Sequence, residues 1–558
     1  MFITDLLKMV HIDNMRINYT KEGGTITYDH EDWLAGQDTT SGNSGDRKLS
    51  NGLAFSNGAD PLRTLGYLSP SFFPVDVTNI ASVTSLIRNG VVKGEAAYLI
   101  AGTSPGAGQS GGIVHKLTNL LAGTISTTAP FPHTIDHAHT GESGYDIVNY
   151  TANVSGTPTL LAFYSFSDDT DWDVGIYNYT ADTFNDDYMS TVPASPLASP
   201  YLTGGNLDPH PLIVGDDDIL YMGDRNFVHA YDGATGTDGT FYPAVLTLPK
   251  GWIITCFAKT NDQKLLIGAY YSPSEGSNFT YYLGSSKAYK WNYLDLDFDY
   301  AYDLKDNYVS DILNWNEQII AFTSGRNSQT QSGNNKLQAL VGERFETLQT
   351  WSTGGLPIRG GVMVTENDIY WNTSGLVYFY AKNPFGDNYI FGNILGGSEA
   401  GMLKLFSNTF LIHYSSGAGA GLGLRYALSN YAESTIAFGK VATPTFPERK
   451  RGRLKKIDLY FKNTLAGGAG GGRSFRLNTD LDKDGGSVTI NDFNTVSNLK
   501  IEIIDFKADG TPLGDFTTLQ PQFIWANNIA GDNKANAPIL EKCVYFFEYT
   551  DINQGLQT

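Results

Sequence analysis

Residues 252–271 read WIITCFAKTNDQKLLIGAYY, two apolar segments separated by a polar turn. Branched and aromatic side chains favour strands, and a short Asn/Asp turn between two such segments indicates a β-hairpin. A third segment rich in aromatic residues, KAYKWNYL, follows after a loop that contains Gly and Ser. This unit therefore predicts at least three antiparallel strands.

The same unit recurs seven times between residues 81 and 430. Its middle strands are predicted at positions 42 to 62 residues apart, around Leu99, Leu161, Leu220, Leu266, Ile320, Ile369 and Leu411. One such unit cannot bury its own apolar face, whereas radial packing of successive units into a β-propeller buries all of them. The sequence predicts an all-β fold with a propeller of about seven blades over residues 76–440.

Both flanks of the repeat differ from it in composition. Residues 1–75 are polar and rich in Gly, which predicts an extended N-terminal arm and a lead-in strand that can also close the propeller. Residues 441–558 contain short alternating strands separated by Gly and Asp, a pattern typical of a β-sandwich. We therefore expect an arm, a propeller and a C-terminal sandwich.

The net charge of −20 limits the partners of the chain. Duplex binding depends on Lys and Arg that neutralise phosphates, and a negative field also disfavours anionic membranes. The sequence has no apolar run of membrane-spanning length, and its first residues lack the basic and apolar regions of a signal peptide. We expect no specific nucleic-acid binding, no membrane span, and a protein that stays in the cytoplasm or leaves it by lysis.

The two cysteines, Cys256 and Cys543, lie in apolar segments far apart in the sequence. A disulfide framework needs more cysteines in a shorter chain. Both are predicted to be buried free thiols, since Cys packs as a small apolar side chain.

The segment PHTIDHAH carries the densest group of candidate metal ligands, His133, Asp136, His137 and His139. Imidazole and carboxylate groups at these spacings can hold a divalent transition metal. No cysteine accompanies them, and His137 and His139 alternate as on one face of a strand. Exposed or interfacial histidines are therefore the favoured interpretation.

The segment DLDKDGG places Asp480, Asp482 and Asp484 before Gly485, as in the first half of a calcium loop. The twelfth position is Asn491 instead of Glu, and the flanking segments are strand-like. A polar hairpin turn is favoured, and a structural Ca²⁺ is the one cofactor that stays open. The acidic runs 168–173 and 216–218 are likewise interpreted as turn carboxylates.

Enzyme signatures are missing from the sequence. It contains no sialidase-type S-x-D-x-G-x-T-W turn, no WD or kelch signature, no G-x-S-x-G and no H-E-x-x-H. No catalytic residue is predicted. A glycoside hydrolase stays an alternative, because two or three carboxylates on separate blades of a propeller are enough for that reaction.

A basic run forms the sharpest local charge contrast in this acidic chain. It consists of Arg449, Lys450, Arg451, Arg453, Lys455 and Lys456. A solvated linker surface and a docking patch for an acidic partner or sister subunit are both compatible with it, since complementary charges set orientation. Nucleic-acid binding by so short a run is less favoured.

The layout of an irregular N-terminal arm, a propeller without enzyme signatures and a sandwich introduced by TFPERKRGRLKKIDLYF resembles virion structural proteins of tailed bacteriophages. In particular it is similar to the propeller-containing tail nozzle and tail-hub components of short-tailed phages. The resemblance covers the architecture of nearly the whole chain and rests on no invariant motif, so no residue is transferred from it.

The resemblance implies a homo-oligomeric ring in the virion, around the path of genome ejection. Its partners would be sister subunits and other virion proteins, with the arm and the basic run as contacts. An acidic lumen would repel DNA phosphates.

A carbohydrate-binding protein that recognises host-surface glycans is a further alternative. It would expose aromatic side chains for stacking on sugars, with Trp172, Trp291, Trp315 and Trp371 as candidates. Burial of these four between blades is the favoured interpretation.

Overall fold

The fold is all-β, and among the residues that the structure describes the single short helix is α1 (Tyr188–Thr191). A computed structural model describes residues 11–12, 15–16, 25–31, 53–57, 59–60, 68–70, 75–79, 83, 85–102, 112–120, 123–136, 142–168, 171–198, 201, 209–272, 285–325, 334–351, 354–373, 376–382, 389–395, 401–406, 409–415, 420–425, 435–439, 450–463, 475–481, 488–493, 498–504, 519–525 and 539–551.

Short strands precede the repeat region: β1 (His11–Ile12), β2 (Met15–Arg16), β3 (Thr25–Glu31), β4 (Leu53–Asn57), β5 (Ala59–Asp60), β6 (Ser69–Pro70) and β7 (Val75–Asp76). The first half of the repeat contains β8 (Leu86–Lys93), β9 (Ala96–Gly102), β10 (Ile113–Thr118), β11 (Thr124–Ile125), β12 (His133–Thr134), β13 (Ser143–Val154), β14 (Thr157–Ser167), β15 (Trp172–Asn178), β16 (Thr183–Asn185), β17 (Leu212–Val214), β18 (Leu220–Asp224), β19 (Phe227–Asp232) and β20 (Thr240–Thr247).

The second half of the repeat contains β21 (Trp252–Lys259), β22 (Leu265–Tyr271), β23 (Ser286–Trp291), β24 (Tyr300–Asp303), β25 (Tyr308–Trp315), β26 (Gln318–Ser324), β27 (Asn335–Val341), β28 (Arg344–Trp351), β29 (Val362–Val364), β30 (Asp368–Asn372), β31 (Val377–Lys382), β32 (Tyr389–Leu395), β33 (Met402–Phe406), β34 (Thr409–Ser415) and β35 (Ala420–Arg425). The remaining strands are β36 (Thr435–Gly439), β37 (Lys450–Phe461), β38 (Phe475–Leu481), β39 (Val488–Phe493), β40 (Lys500–Ile503), β41 (Leu519–Trp525) and β42 (Leu540–Asp551).

The chain divides into two compact units. We call residues 74–377 with 396–426 the central unit, and residues 1–73, 378–395 and 427–558 the terminal unit. In the central unit, five groups of four consecutive strands pair in sequence order, beginning at β8, β13, β17, β21 and β25. Strand β29 pairs with β30, and β33, β34 and β35 form a further sheet. All of these pairings are antiparallel, which gives a propeller-like set of sheets.

The predicted middle strands correspond to β9, β14, β18, β22, β26, β30 and β34, each of which pairs with the strand before it. Tight polar turns make these hairpins possible. Asn316 and Glu317, for example, both have positive φ, 50° and 66°. Such a pair is typical of the type I′ turn, whose twist matches that of the two strands it joins.

The first strands of the sheets lie side by side inside the central unit. Contacts run from β8 to β13, β17, β21 and β25 in turn, and β29 contacts β33, which contacts β8. The contact between β29 and β33 includes a hydrogen bond just before β29, in which the backbone N–H of Met402 donates to the carbonyl of Gly360 at 2.8 Å. Strand β7 adds an N-terminal strand to the last of these sheets, because Val75 and Asp76 pair with Leu424 and Gly423 of β35.

The terminal unit contains strands from both ends of the chain. One sheet has the order β3-β42-β37-β40, and a second has the order β39-β38-β41-β36-β4. The sequence predicted an extended arm for residues 1–75. Strands β3 and β4 of this segment instead pair with strands of the C-terminal part. The polar composition of residues 1–75 concealed this, because an edge strand can satisfy its backbone without an apolar pattern.

The core between sheets is rich in aromatic side chains. Trp172, Trp291, Trp315 and Trp371 are all buried. The favoured interpretation of these tryptophans is therefore confirmed, and their alternative role in stacking on sugars is wrong. Cys256 and Cys543 are buried free thiols, as predicted. Among the described residues, no helix has the length and apolar character needed to cross a membrane.

Candidate functional site

A β-bulge recurs near the start of four first strands of the central unit. The pairing shifts after Ile87 in β8, Gly144 in β13, Ile254 in β21 and Val309 in β25. The first paired residue after each bulge is Asn89, Asp146, Cys256 and Asp311, respectively. Bulges redirect a side chain, and here they place short polar side chains at equivalent positions of four sheets.

Arg359 joins the first strands of four sheets through its guanidinium. Its Nε donates to Asp146 Oδ2 at 3.2 Å, and its Nη1 donates to Asp311 Oδ1 at 3.0 Å. Nη1 also donates to the carbonyl of Phe257 at 2.9 Å, and Nη2 to that of Leu212 at 3.3 Å. The residues it reaches lie in β13, β25, β21 and β17. We call Arg359, Asp146, Asp311 and Asn89 the Arg359 cluster.

Asp146 accepts further hydrogen bonds besides the one from Arg359. Asn89 Nδ2 and the backbone N–H of Ile147 donate to its Oδ1, the latter at 2.9 Å. The N–H of Leu212 donates to its Oδ2 at 2.9 Å. Because buried charge is stable only when paired and hydrogen-bonded, these contacts explain how a buried carboxylate is tolerated here.

The charges of the cluster act on one another. Burial raises the pKa of Asp311 to about 6, although the guanidinium of Arg359 opposes this. Burial alone would lower the pKa of Arg359, but the carboxylates of Asp146 and Asp311 raise it. Burial also raises the pKa of the Cys256 thiol to about 12, with Asp311 adding to the effect. The site therefore combines a permanent cation with one carboxyl group that titrates near neutrality.

Two of these sheets share a sequence motif that places the cluster. Residues 146–150 read DIVNY and residues 311–315 read DILNW. In both copies the Asp Oδ1 accepts the next backbone N–H, and the Asp binds Arg359. A comparison of the repeats would have revealed this motif, which the sequence analysis missed.

The Asn and the aromatic residue of the motif join neighbouring sheets. Asn149 Nδ2 donates to the carbonyl of Val92 at 3.2 Å, and Asn314 Nδ2 donates to that of Lys259 at 3.3 Å. Both acceptors lie near the end of the preceding first strand. Tyr150 Oη donates forward to the carbonyl of Asp218 at 2.8 Å. Trp315 Nε1 donates to that of Thr365 at 3.0 Å, so each motif connects three successive sheets.

The histidine segment does not form a metal site among the described residues. His133 lies 2.9 Å from Asp186 Oδ1 through its Nε2 and stacks on Phe184. The backbone N–H of Asp136 donates to the same carboxylate at 2.9 Å. His137 and His139 lie outside the described residues. No group of three or more His, Cys, Asp or Glu within the described part of the chain is arranged to hold a metal ion.

The candidate calcium loop is described only at its start. Asp480 lies in β38 opposite Gln520 of β41, while Asp482 and Asp484 lie outside the described residues. The calcium interpretation stays a prediction.

The acidic runs are turn carboxylates where the structure describes them. Asp168 Oδ1 accepts the N–H of Asp171 at 2.8 Å. Asp216 pairs with Lys259 at 2.9 Å, and the phenol of Tyr221 donates to Asp217 Oδ2 at 2.6 Å. These carboxylates hold turns and neighbouring strands in place.

The basic run lies largely in β37, a strand with neighbours on both sides. Lys455 Nζ pairs with Glu548 at 2.6 Å. Lys456 Nζ lies 3.1 Å from Asp458 Oδ2 and 4.3 Å from the ring centre of Phe546. Arg453 is exposed, Arg451 is half-buried, and Lys450 begins the strand, whereas Arg449 lies outside the described residues. The run is therefore part of a sheet instead of a linker, and its docking role stays a prediction.

No family model matches the chain, and no curated protein matches it either. Among solved structures, an exo-β-1,3-galactanase from Phanerochaete chrysosporium is 12% identical, with a TM-score of 0.31 over 85% of this chain and 99% of that chain. A functionally unknown protein from Desulfotomaculum acetoxidans is 9% identical, with a TM-score of 0.36 over 56% and 87%. The Dos1 propeller is 9% identical, with a TM-score of 0.25 over 61% and 68%. At these scores we draw no conclusion about activity.

The raised pKa of Asp311 gives a pH-dependent contribution to stability. A carboxyl group with a folded-state pKa of about 6, above its ordinary 3.8, contributes stability that is fully present below pH 3.8 and is lost as pH rises through 6. We expect Asp311→Asn to gain stability relative to the unchanged protein by roughly 2–2.5 kcal/mol between pH 4 and pH 7, at about 1.4 kcal/mol per pKa unit and with part of the titration below pH 4. Urea unfolding at intervals across this range measures the difference.

The control for this measurement is Asp303→Asn, which changes an exposed carboxylate of the same unit. A difference between Asp311→Asn and the unchanged protein that does not vary with pH would contradict the assignment.

Proposed function

We propose that this chain is a structural subunit of a bacteriophage virion, a ring-forming component of the tail nozzle or hub around the genome exit path. In this proposal the seven strand groups that begin at β8, β13, β17, β21, β25, β29 and β33 are the blades of one propeller. The two sheets of the terminal unit form a sandwich.

The bonding of Arg359 is the observation that carries a structural role. Enzymatic propellers need carboxylates that are available to a substrate, whereas Asp146 and Asp311 both bind the same guanidinium. Four backbone and side-chain acceptors from four strands surround that cation. Polar groups at the start of the first strands are thus used to hold sheets together, as expected for a rigid scaffold that bears load.

Charge supports the position around a genome path. The chain has a net charge of −20, and its densest run of basic residues lies largely in β37 of the terminal unit. An acidic surface repels DNA phosphates and lets a duplex pass without adhesion. An isolated basic face can then orient a subunit against an acidic neighbour.

Light scattering at about 50 mM and about 500 mM NaCl tests this function, because the screening length of exposed charges falls from about 14 Å to about 4 Å between these salts. We expect a discrete oligomer of several copies that dissociates at high salt. Exchange of Arg449, Lys450, Arg451 and Arg453 for Gln should weaken assembly, while thermal unfolding stays unchanged. A strict monomer at both salts would contradict self-assembly, and unchanged assembly of the variant would exclude the basic run as a contact.

A glycoside hydrolase is a second candidate, favoured by one observation. Asp146 and Asp311 flank the Arg359 side chain, which is 23% exposed, and the Asp311 pKa of about 6 suits a general acid. Two carboxyl groups are the minimum that glycoside hydrolysis requires.

Release of reducing sugar from a panel of β-linked polysaccharides separates the two candidates. The structural proposal predicts no turnover by the unchanged protein. Turnover that disappears in both Asp146→Asn and Asp311→Asn, but persists in Asp303→Asn, would replace it with the hydrolase.

A further inference from the structure

The antiparallel order of the central unit gives each sheet two different ends. The bulged starts of the first strands, with the Arg359 cluster, lie at one end. At the other end lie the turn between the first and second strands and the loop between the third and fourth strands. We call this second end the turn face; it includes residues 155–156, 233–239, 292–299, 342–343 and 365–367.

Exposed apolar side chains of the central unit concentrate at the turn face. Seven large hydrophobic residues of this unit are exposed among those the structure describes, and each lies in such a turn or within four residues of one: Leu160, Tyr242, Leu294, Leu296, Tyr300, Val341 and Val364. Scattered exposed apolar residues need no explanation, but a concentration at one face indicates an interaction surface.

The most exposed of these residues are Leu294 and Leu296, at 88% and 90%. They project from a loop that is fixed by hydrogen bonds. Asn292 Oδ1 accepts the backbone N–H groups of Leu294 and Asp295, both at 3.0 Å. Trp291 Nε1 donates to the carbonyl of Asp295 at 2.7 Å, so a buried ring anchors the loop. An ordered loop that holds two leucines in water loses little conformational entropy when they dock.

Acidic residues alternate with these leucines. Residues 294–299 read LDLDFD, and Asp295, Asp297 and Asp299 are all exposed. Lys264 pairs with Asp299 at 2.6 Å, which leaves the other two carboxylates to define the charge of the loop tip. The complementary surface would present basic side chains around an apolar group.

The terminal unit carries such a surface on β37 and β42. Arg451 and Arg453 are two positions apart on β37, so their side chains lie on the same face of the sheet. Arg453 pairs with Glu548 of β42. Phe546 is two residues from Glu548 on β42, so it shares that face, with the ammonium of Lys456 over its ring. Basic residues, one of them Lys455 paired with Glu548 at 2.6 Å, thus lie around a half-buried aromatic ring.

We propose that the loop 292–299 of one copy docks on the β37–β42 face of a second copy. Leu294 and Leu296 pack against Phe546, and Asp295 and Asp297 lie opposite Arg451 and Arg453. Two different surfaces of the same chain make this contact, so it is a head-to-tail interface of the kind that closes into rings. The proposal rests on the proposed function, in which copies of the chain assemble.

Apolar truncation gives the first test. Leu294→Ser with Leu296→Ser is expected to raise the apparent dissociation constant of the oligomer at least about tenfold, the loss usual for a central apolar anchor. The matched control is Leu499→Ser with Ile504→Ser, which removes exposed apolar residues of the terminal unit. Mass is measured by light scattering, and thermal unfolding shows that each variant keeps its fold.

Charge exchange gives the sharper test. Asp295→Lys with Asp297→Lys makes both surfaces of the contact basic, and Arg451→Glu with Arg453→Glu makes both acidic, so each variant alone is expected to be monomeric. An equimolar mixture restores opposite charges at every contact and is expected to assemble. If the unchanged protein forms an oligomer and each charge variant alone forms it equally well, this contact is overturned and the proposed function stands. An unchanged protein that is monomeric overturns both.

Discussion

The guanidinium of Arg359 is shared by two buried carboxylates and two backbone carbonyls that belong to four different sheets. Each first strand pairs with only one strand of its own sheet, so contacts between sheets decide whether the central unit holds together. A planar guanidinium presents five N–H donors in a fixed geometry, whereas the ammonium of Lys offers three on a flexible stem.

Bulges and the D-I-x-N-aromatic motif show how a repeated sequence forms links between sheets. The bulge directs the Asp to Arg359, Asn149 and Asn314 bind back to the preceding sheet, and Tyr150 and Trp315 bind forward to the next. Gly144, just before one bulge, leaves no room for a side chain, because a Cβ there would lie 2.7 Å from the carbonyl of Ala101. Polar groups therefore serve the same purpose as the apolar core, while Leu294 and Leu296 of the turn face stay exposed.

The sequence predicted the strands better than the links between them. Apolar segments such as KLLIGAYY have a local pattern, so the middle strands and the burial of the four tryptophans could be inferred directly. Arg359 could not, since it is one basic residue in a loop and lies 213 positions from Asp146. Pairing of β3 with β42 was also missed, because long-range register is set by partners that local composition does not reveal. A linker surface was one of two interpretations of the basic run, because the bulge between Leu454 and Lys456 breaks the alternation that would mark a strand.

Urea unfolding of Arg359→Met, compared with the triple variant Arg359→Met, Asp146→Asn, Asp311→Asn, tests the central claim most directly. Removal of the cation leaves two buried carboxylates without their partner, and we expect the free energy of unfolding at pH 7 to fall by about 3–5 kcal/mol. Neutral amides do not carry that penalty, so the triple variant should recover most of the loss. A single variant as stable as the unchanged protein, or a triple variant no more stable than the single one, would contradict the role assigned to Arg359.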